Sequence, residues 1–247
     1  LAYSKSEGDI ELRNKICNYY SKLGIKINNS DVIVTSGASE ALLFTLGSIM
    51  DPSEEIIIPE PFYANYNGFS VANGVNIIPI FSSIENNFKL PKIEDFENLI
   101  TEKTKGILIC NPNNPTGYVY SRYEIKTLVE IAKKHNLYLI ADEVYREFTY
   151  ENACHTSILE FNEIQENAIV IDSVSKRYSM CGARIGCIIS KNAEFISTAM
   201  KFAQARLSPP TLAQIASTAA MDVGEEYFDS VINEYNERRK TLIKGLN

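Results

Sequence analysis

A chain of 247 residues with 45% apolar side chains can bury one large core, or one and a half. Its net charge of −7, its pI near 5.1 and the lack of a long basic run make nucleic acid and anionic membrane poor partners. No apolar stretch has bilayer length, the two histidines sit in separate segments and the five cysteines form no C-x-x-C pair, which argues against a membrane span, a metal centre, a Ser-His-Asp triad and a disulfide framework.

In chain order, Ile10, Arg13, Ile16, Tyr20 and Leu23 follow a helical period, with Asp9 to cap the helix and Gly24 to stop it. A strand at 32–35 leads to a helix near 39–50, and a strand at 55–59 to a helix near 63–72. A strand at 75–80 is followed by a helix near 93–101, and one at 106–110 by a helix at 121–135. Strands at 137–141, 168–172 and 185–190 complete the alternation. From Ala193 onward only helices are expected, at 193–206, 211–222 and 224–246. The strands are runs of Ile and Val with little polar alternation, which suits a sheet covered on both faces. The pattern predicts an α/β layered fold with a mostly parallel sheet. Ligands of such sheets sit beyond the carboxyl ends of the strands, so the residues there come next.

After the first strand, Thr35-Ser36-Gly37-Ala38-Ser39 opens a helix. A glycine there lets the backbone approach a ligand, and the first N–H groups of the helix attract an anion. A plain capped turn fits the same run. After the second strand comes Pro59-Glu60-Pro61-Phe62-Tyr63, with Tyr66 beyond. An aromatic ring there could stack on a flat ligand, while Phe62 and Tyr66 also suit simple packing. Asn111-Pro112-Asn113-Asn114-Pro115-Thr116-Gly117 makes a rigid turn that presents Asn114. At the end of a buried strand, the carboxylate of Asp142-Glu143-Val144-Tyr145 needs a cationic or hydrogen-bonding partner. Magnesium is the rival partner, but no P-loop precedes it. Last, Ser173-Val174-Ser175-Lys176 is followed eight residues later by Arg184 between two glycines. The serines and the arginine can hold a phosphate, and the lysine can form a Schiff base beside it. Those are the needs of an enzyme that grips an aldehyde cofactor at both ends.

The segments NPNNPTG, ADEVY and SVSKRYSMCGARIG resemble the large domain of class I/II, aspartate-aminotransferase-like enzymes of fold type I, which use pyridoxal 5′-phosphate (PLP). The resemblance runs from Tyr3 to the last helix. It implies a three-layer α/β/α sandwich with a seven-stranded mixed sheet, a PLP-binding large domain over 1–223, and a long helix over 224–247 leading toward a small domain. It also implies site roles. Lys176 would join PLP, Asp142 would face the pyridine nitrogen, and Asn114 and Tyr145 would bond the ring's phenolic oxygen. Tyr63 would stack on the ring. Ser173, Ser175, Arg184 and the N–H groups of Ala38 and Ser39 would bind the phosphate. Lys176, Asp142 and Tyr145 would form the catalytic set, with no metal. Tyr3 would reach the phosphate of a neighbouring subunit, which implies a homodimer. Cis peptides are expected at Glu60–Pro61 and Asn114–Pro115.

The implied activity is amino transfer between an L-amino acid, aspartate-like or aromatic, and a 2-oxo acid in cytoplasmic amino-acid biosynthesis. A PLP-dependent carbon–sulfur β-lyase is the alternative on the same fold, and a non-catalytic PLP-binding regulatory domain is the alternative of another class. The chain begins at Leu1 and ends at Asn247 inside a helical pattern. We therefore expect a piece of a longer protein that binds PLP but transaminates poorly alone.

Overall fold

Seven short Ile- and Val-rich runs become the strands of one sheet in the computed structural model, which describes residues 2–246. Leu1 and Asn247, the outer limits of the two expected domains, lie outside the described residues. The strands are β1 (Val32–Thr35), β2 (Glu55–Glu60), β3 (Asn76–Phe81), β4 (Thr104–Cys110), β5 (Tyr138–Asp142), β6 (Ala168–Ser173) and β7 (Gly186–Ile189). The helices are α1 (Ile10–Lys22), α2 (Ala38–Ile49), α3 (Asn65–Asn73), α4 (Ile93–Leu99), α5 (Arg122–His135), α6 (Val174–Arg177), α7 (Ala193–Arg206), α8 (Thr211–Ala220) and α9 (Glu225–Leu246).

The sheet order is β1-β7-β6-β5-β4-β2-β3. Strands β3, β2, β4, β5 and β6 pair in parallel, and β7 runs antiparallel to both β6 and β1. This is the expected seven-stranded mixed sheet.

Alternation along each strand divides the core in two. Val34, Ile57, Ile107, Ile109, Leu139 and Val170 face α1, α4 and α5. Ile33, Ile56, Ile58, Leu108, Ile140 and Ile169 face α2, α3 and α7. Both sets are almost wholly buried. Each such side chain contributes roughly 1.5–3 kcal/mol by leaving water, so the central strands form a rigid frame for whatever their ends carry. By contrast α9 has no buried residue.

Local chemistry explains where boundaries move from the expected ones. Asp9 caps α1 by accepting from Glu11 N and Leu12 N, as expected. The buried face of α1 is Leu12, Arg13, Ile16 and Tyr20, while Ile10 and Leu23 at its ends stay exposed. Helix α3 starts at Asn65 rather than near Tyr63. A turn closed by Tyr66 N on Tyr63 O precedes it, leaving Tyr63 in the loop. Strand β7 starts after Ile185, whose carbonyl accepts from Ser173 Oγ and Val174 N instead of joining the ladder. The peptides at Glu60–Pro61 and Asn114–Pro115 are cis, and so is Asn111–Pro112, which was not expected.

Candidate active site

The carboxyl ends of β1, β2, β4, β5 and β6 converge on one cavity of about 200 Å³. Ten of the eleven expected site residues line it. Ala38 and Ser39 follow β1, Tyr63 follows β2, Asn114 follows β4, Asp142 ends β5 and Tyr145 follows it. Ser173 ends β6, Ser175 and Lys176 follow it in α6, and Arg184 precedes β7. Tyr3 is not among them; it lies on the surface, 78% exposed.

The reversed direction of β7 brings Arg184 to this edge, because the start of β7 meets the ends of its neighbours. Gly186 pairs with Thr35 on one side and Ser173 on the other. A Cβ at Gly186 would lie 2.6 Å from Gly37 C and 2.7 Å from Ala38 N, so glycine permits the close approach of the start of α2. Gly37 has φ +84°, and a Cβ there would lie 2.3 Å from Arg184 Nη2. Its missing side chain makes room for the guanidinium. Gly37 also offers no side-chain cap, so the first N–H groups of α2 lack intrahelical partners. Backbone donors, the positive helix end and a planar cation thus meet at one corner.

Lys176 is carried by α6, a single turn. Ser173 caps that turn by accepting from Ser175 N at 3.0 Å, and donates to Ile185 O at 2.8 Å. Ser173 Oγ lies 2.7 Å from Ser175 Oγ. The Ser173 hydroxyl is thus engaged in holding α6 and β7, a structural duty added to the expected phosphate role. Lys176 Nζ lies 5.5 Å from the centre of the Tyr145 ring.

Asp142 is 4% exposed. One oxygen accepts from Val144 N at 3.3 Å and the other from the Tyr66 hydroxyl at 2.9 Å. Burial pushes its carboxyl up to about 6. The Tyr66 hydroxyl and Val144 N–H pull it down, Asp172 pushes it up, and Lys176 pulls it down. Burial and the Asp142 charge hold the Tyr66 hydroxyl well above the usual tyrosine range, so it remains a donor. Tyr63 meets the Tyr66 ring edge-on at 5.5 Å, and Phe62 stacks on it at 6.2 Å.

Of the asparagines in the proline-rich turn, two serve the loop itself. Asn111 accepts from Tyr120 N and donates to Thr156 O, while Asn113 accepts from Thr116 N and Oγ1. Asn114 lines the cavity. Leu42, Phe69, Cys110, Val144 and Cys181 also line it. Reading the sequence missed these and the role of Tyr66. The phenol hydroxyl three residues after Tyr63 was the one available signal.

The model of the family "Aminotransferase class I and II" matches residues 1–247. The chain belongs to this family. It is 36% identical to the putative aminotransferase YugH of Bacillus subtilis and 35% identical to an aspartate aminotransferase of Thermotoga maritima. These alignments cover 100% and 99% of the chain and 64% of each relative. The chain therefore spans less than two thirds of their length. Among solved structures it superposes on an aromatic aminotransferase from Pyrococcus horikoshii with a TM-score of 0.94 at 29% identity, covering 100% of this chain and 67% of that one. A Thermus thermophilus aspartate aminotransferase with maleate gives 0.93 at 29%, covering 99% and 64%.

The family is PLP-dependent, and the donor set here fits that group. The corner of Gly37, Ala38, Ser39 and Arg184 supplies N–H donors and a cation for a phosphate. A lysine amine and a buried carboxylate line the same cavity, as an aldehyde and a pyridine nitrogen on one molecule require. No described helix is long and apolar enough to cross a membrane.

Proposed function

We propose that this chain is the cofactor-binding part of an aminotransferase that moves an amino group between an L-amino acid and a 2-oxo acid. The observation that carries this reading is the convergence of Lys176, Asp142 and the Gly37–Arg184 corner on one cavity.

In this reading the N–H groups of Ala38 and Ser39, with Arg184, Ser173 and Ser175, hold the phosphate. The guanidinium presents a planar fork to its oxygens. Tyr63 packs on the ring face, and Asn114 and Tyr145 bond the ring's phenolic oxygen. When bound, PLP supplies an aldehyde that condenses with amines and a protonated ring that draws electrons from the substrate's α-carbon. Ionised Asp142 keeps the proton on the ring nitrogen through its opposite charge. Lys176, whose amine lines the cavity, would hold the cofactor's aldehyde and, once free, would carry a proton between the substrate's α-carbon and the cofactor's carbonyl carbon. A positioned group of this kind supplies about 10²–10⁴-fold in rate.

Aspartate-like or aromatic donors are favoured because similar proteins carry those names. Tyr3, exposed on one subunit, would bond the phosphate held by its neighbour in a homodimer. Five free thiols suit a reducing cytoplasm, and a role in amino-acid biosynthesis follows from the reaction class. Residues 224–247 would lead from the PLP-binding domain toward a small domain.

The test uses the parent protein with PLP, an amino acid and a 2-oxo acid. New amino acid should form in step with 2-oxo acid consumption. Release of pyruvate and ammonia from a sulfur amino acid without any acceptor would overturn the reading in favour of a β-lyase.

A further inference from the structure

Two adjacent pairs of residues divide between the cavity and its back wall. Asp142 lines the cavity, while Glu143 is buried beneath Ser157 and Ile158. Lys176 lines the cavity, while its neighbour Arg177 is 4% exposed. The Arg177 Nη2 donates to both oxygens of Asp172 at 2.9 and 2.7 Å, and its Nε donates to Glu147 at 2.8 Å. Its guanidinium lies 4.0 Å over the Tyr19 ring. The Tyr19 hydroxyl donates to Glu147 and the Tyr20 hydroxyl to Asp172, tying the group to α1.

The placement of these partners matters. Asp172 precedes Ser173, Glu147 lies two residues after Tyr145, and Arg177 follows Lys176. One guanidinium therefore joins the backbone beside three groups of cavity residues. Helix α6 has four residues, too few to be stable by its own hydrogen bonds. The direction in which it presents Lys176 has to come from such anchors.

We propose that Arg177 is a positioning residue for Lys176, acting through its buried pairing with Asp172 and Glu147. It fixes the distance between the lysine-bearing turn and the Asp142–Tyr145 segment. A lysine at 177 keeps the charge but cannot bond both carboxylates in a fork and stack on Tyr19. The inference rests on the PLP-binding reading above.

The test compares the wild type with Arg177→Lys and Glu147→Gln, using two probes on protein freed of cofactor. Pyridoxine 5′-phosphate carries the ring and phosphate but no aldehyde, so it reads the phosphate corner alone. PLP at saturating concentration reads the step in which the lysine nitrogen bonds the aldehyde carbon and water leaves, followed as the visible band appears. In Arg177→Lys the linkage step should slow by about tenfold, the low end of what outer-shell partners cost at metal sites, while pyridoxine phosphate binds within about twofold of wild type. Glu147→Gln should slow the linkage less.

A linkage rate equal to wild type in folded Arg177→Lys overturns the proposal. So does an equal loss with both probes, which would mean general damage. If Arg177→Lys does not fold, Glu147→Gln decides alone: a wild-type linkage rate there overturns the proposal. A wild-type protein that forms no band at all sinks the PLP reading itself, and this inference with it.

Discussion

The Tyr66 hydroxyl donates to Asp142 across 76 positions of sequence, and both groups are buried. The bond selects the ionised form of the carboxylate against burial, which favours the neutral form. Removing the hydroxyl with Tyr66→Phe should therefore raise the Asp142 pKa above its value of about 6 in cofactor-free protein. It should also cost about 1.5–3 kcal/mol at pH 8, the range for a hydrogen bond to a charged group. Carbon-13 NMR of the aspartate carboxyls reads the first effect and urea unfolding the second. An unmoved titration would mean that the hydroxyl does not govern this carboxylate.

Asp142 itself should make cofactor-free protein less stable as pH rises. Its folded pKa of about 6 exceeds an unfolded value of about 3.9. The stabilisation is thus fully present below about pH 4 and lost as pH passes through about 6. Asp142→Asn removes this dependence. Relative to wild type, it should gain on the order of 3 kcal/mol between pH 4 and pH 8, two pKa units at 1.36 kcal/mol each. Urea melts across that range measure it, and a pH-independent difference would refute the burial argument.

Two glycines of the same segment should behave oppositely. Gly186→Ala places a Cβ against the backbone of Gly37 and Ala38. It should cost about 1–3 kcal/mol as an overpacked site and weaken PLP binding by displacing the start of α2. Gly182 has nothing within 4 Å of its added Cβ, so Gly182→Ala should stay within about 0.5 kcal/mol of wild type. Thermal melts with and without PLP separate the two. Similar melting shifts for both would show that close approach at Gly186 is not what matters.

The sequence displays the sheet clearly because each strand is a separate Ile- and Val-rich run. It displays Lys176, Asn114 and Arg184 because each sits near a strand end among serines, prolines or glycines, and Asp142 because a carboxylate closes an apolar run. What it hides are pairings between distant segments. Tyr66 looks like one more aromatic residue beside Phe62 and Tyr63 until folding brings α3 over the end of β5. Arg177 looks like a surface charge after Lys176, yet its partners come from β6, the loop after β5 and α1. The antiparallel β7 is equally hidden, since its composition matches that of its parallel neighbours. Its direction alone carries Arg184 to Gly37.

The most direct measurement is the absorption spectrum of intact protein mixed with PLP, compared with Lys176→Ala. A visible band should form with the wild type, persist after removal of free PLP, and be absent from the variant. A band of the same position and strength in Lys176→Ala would place the linkage on another amine and contradict the assignment of the site.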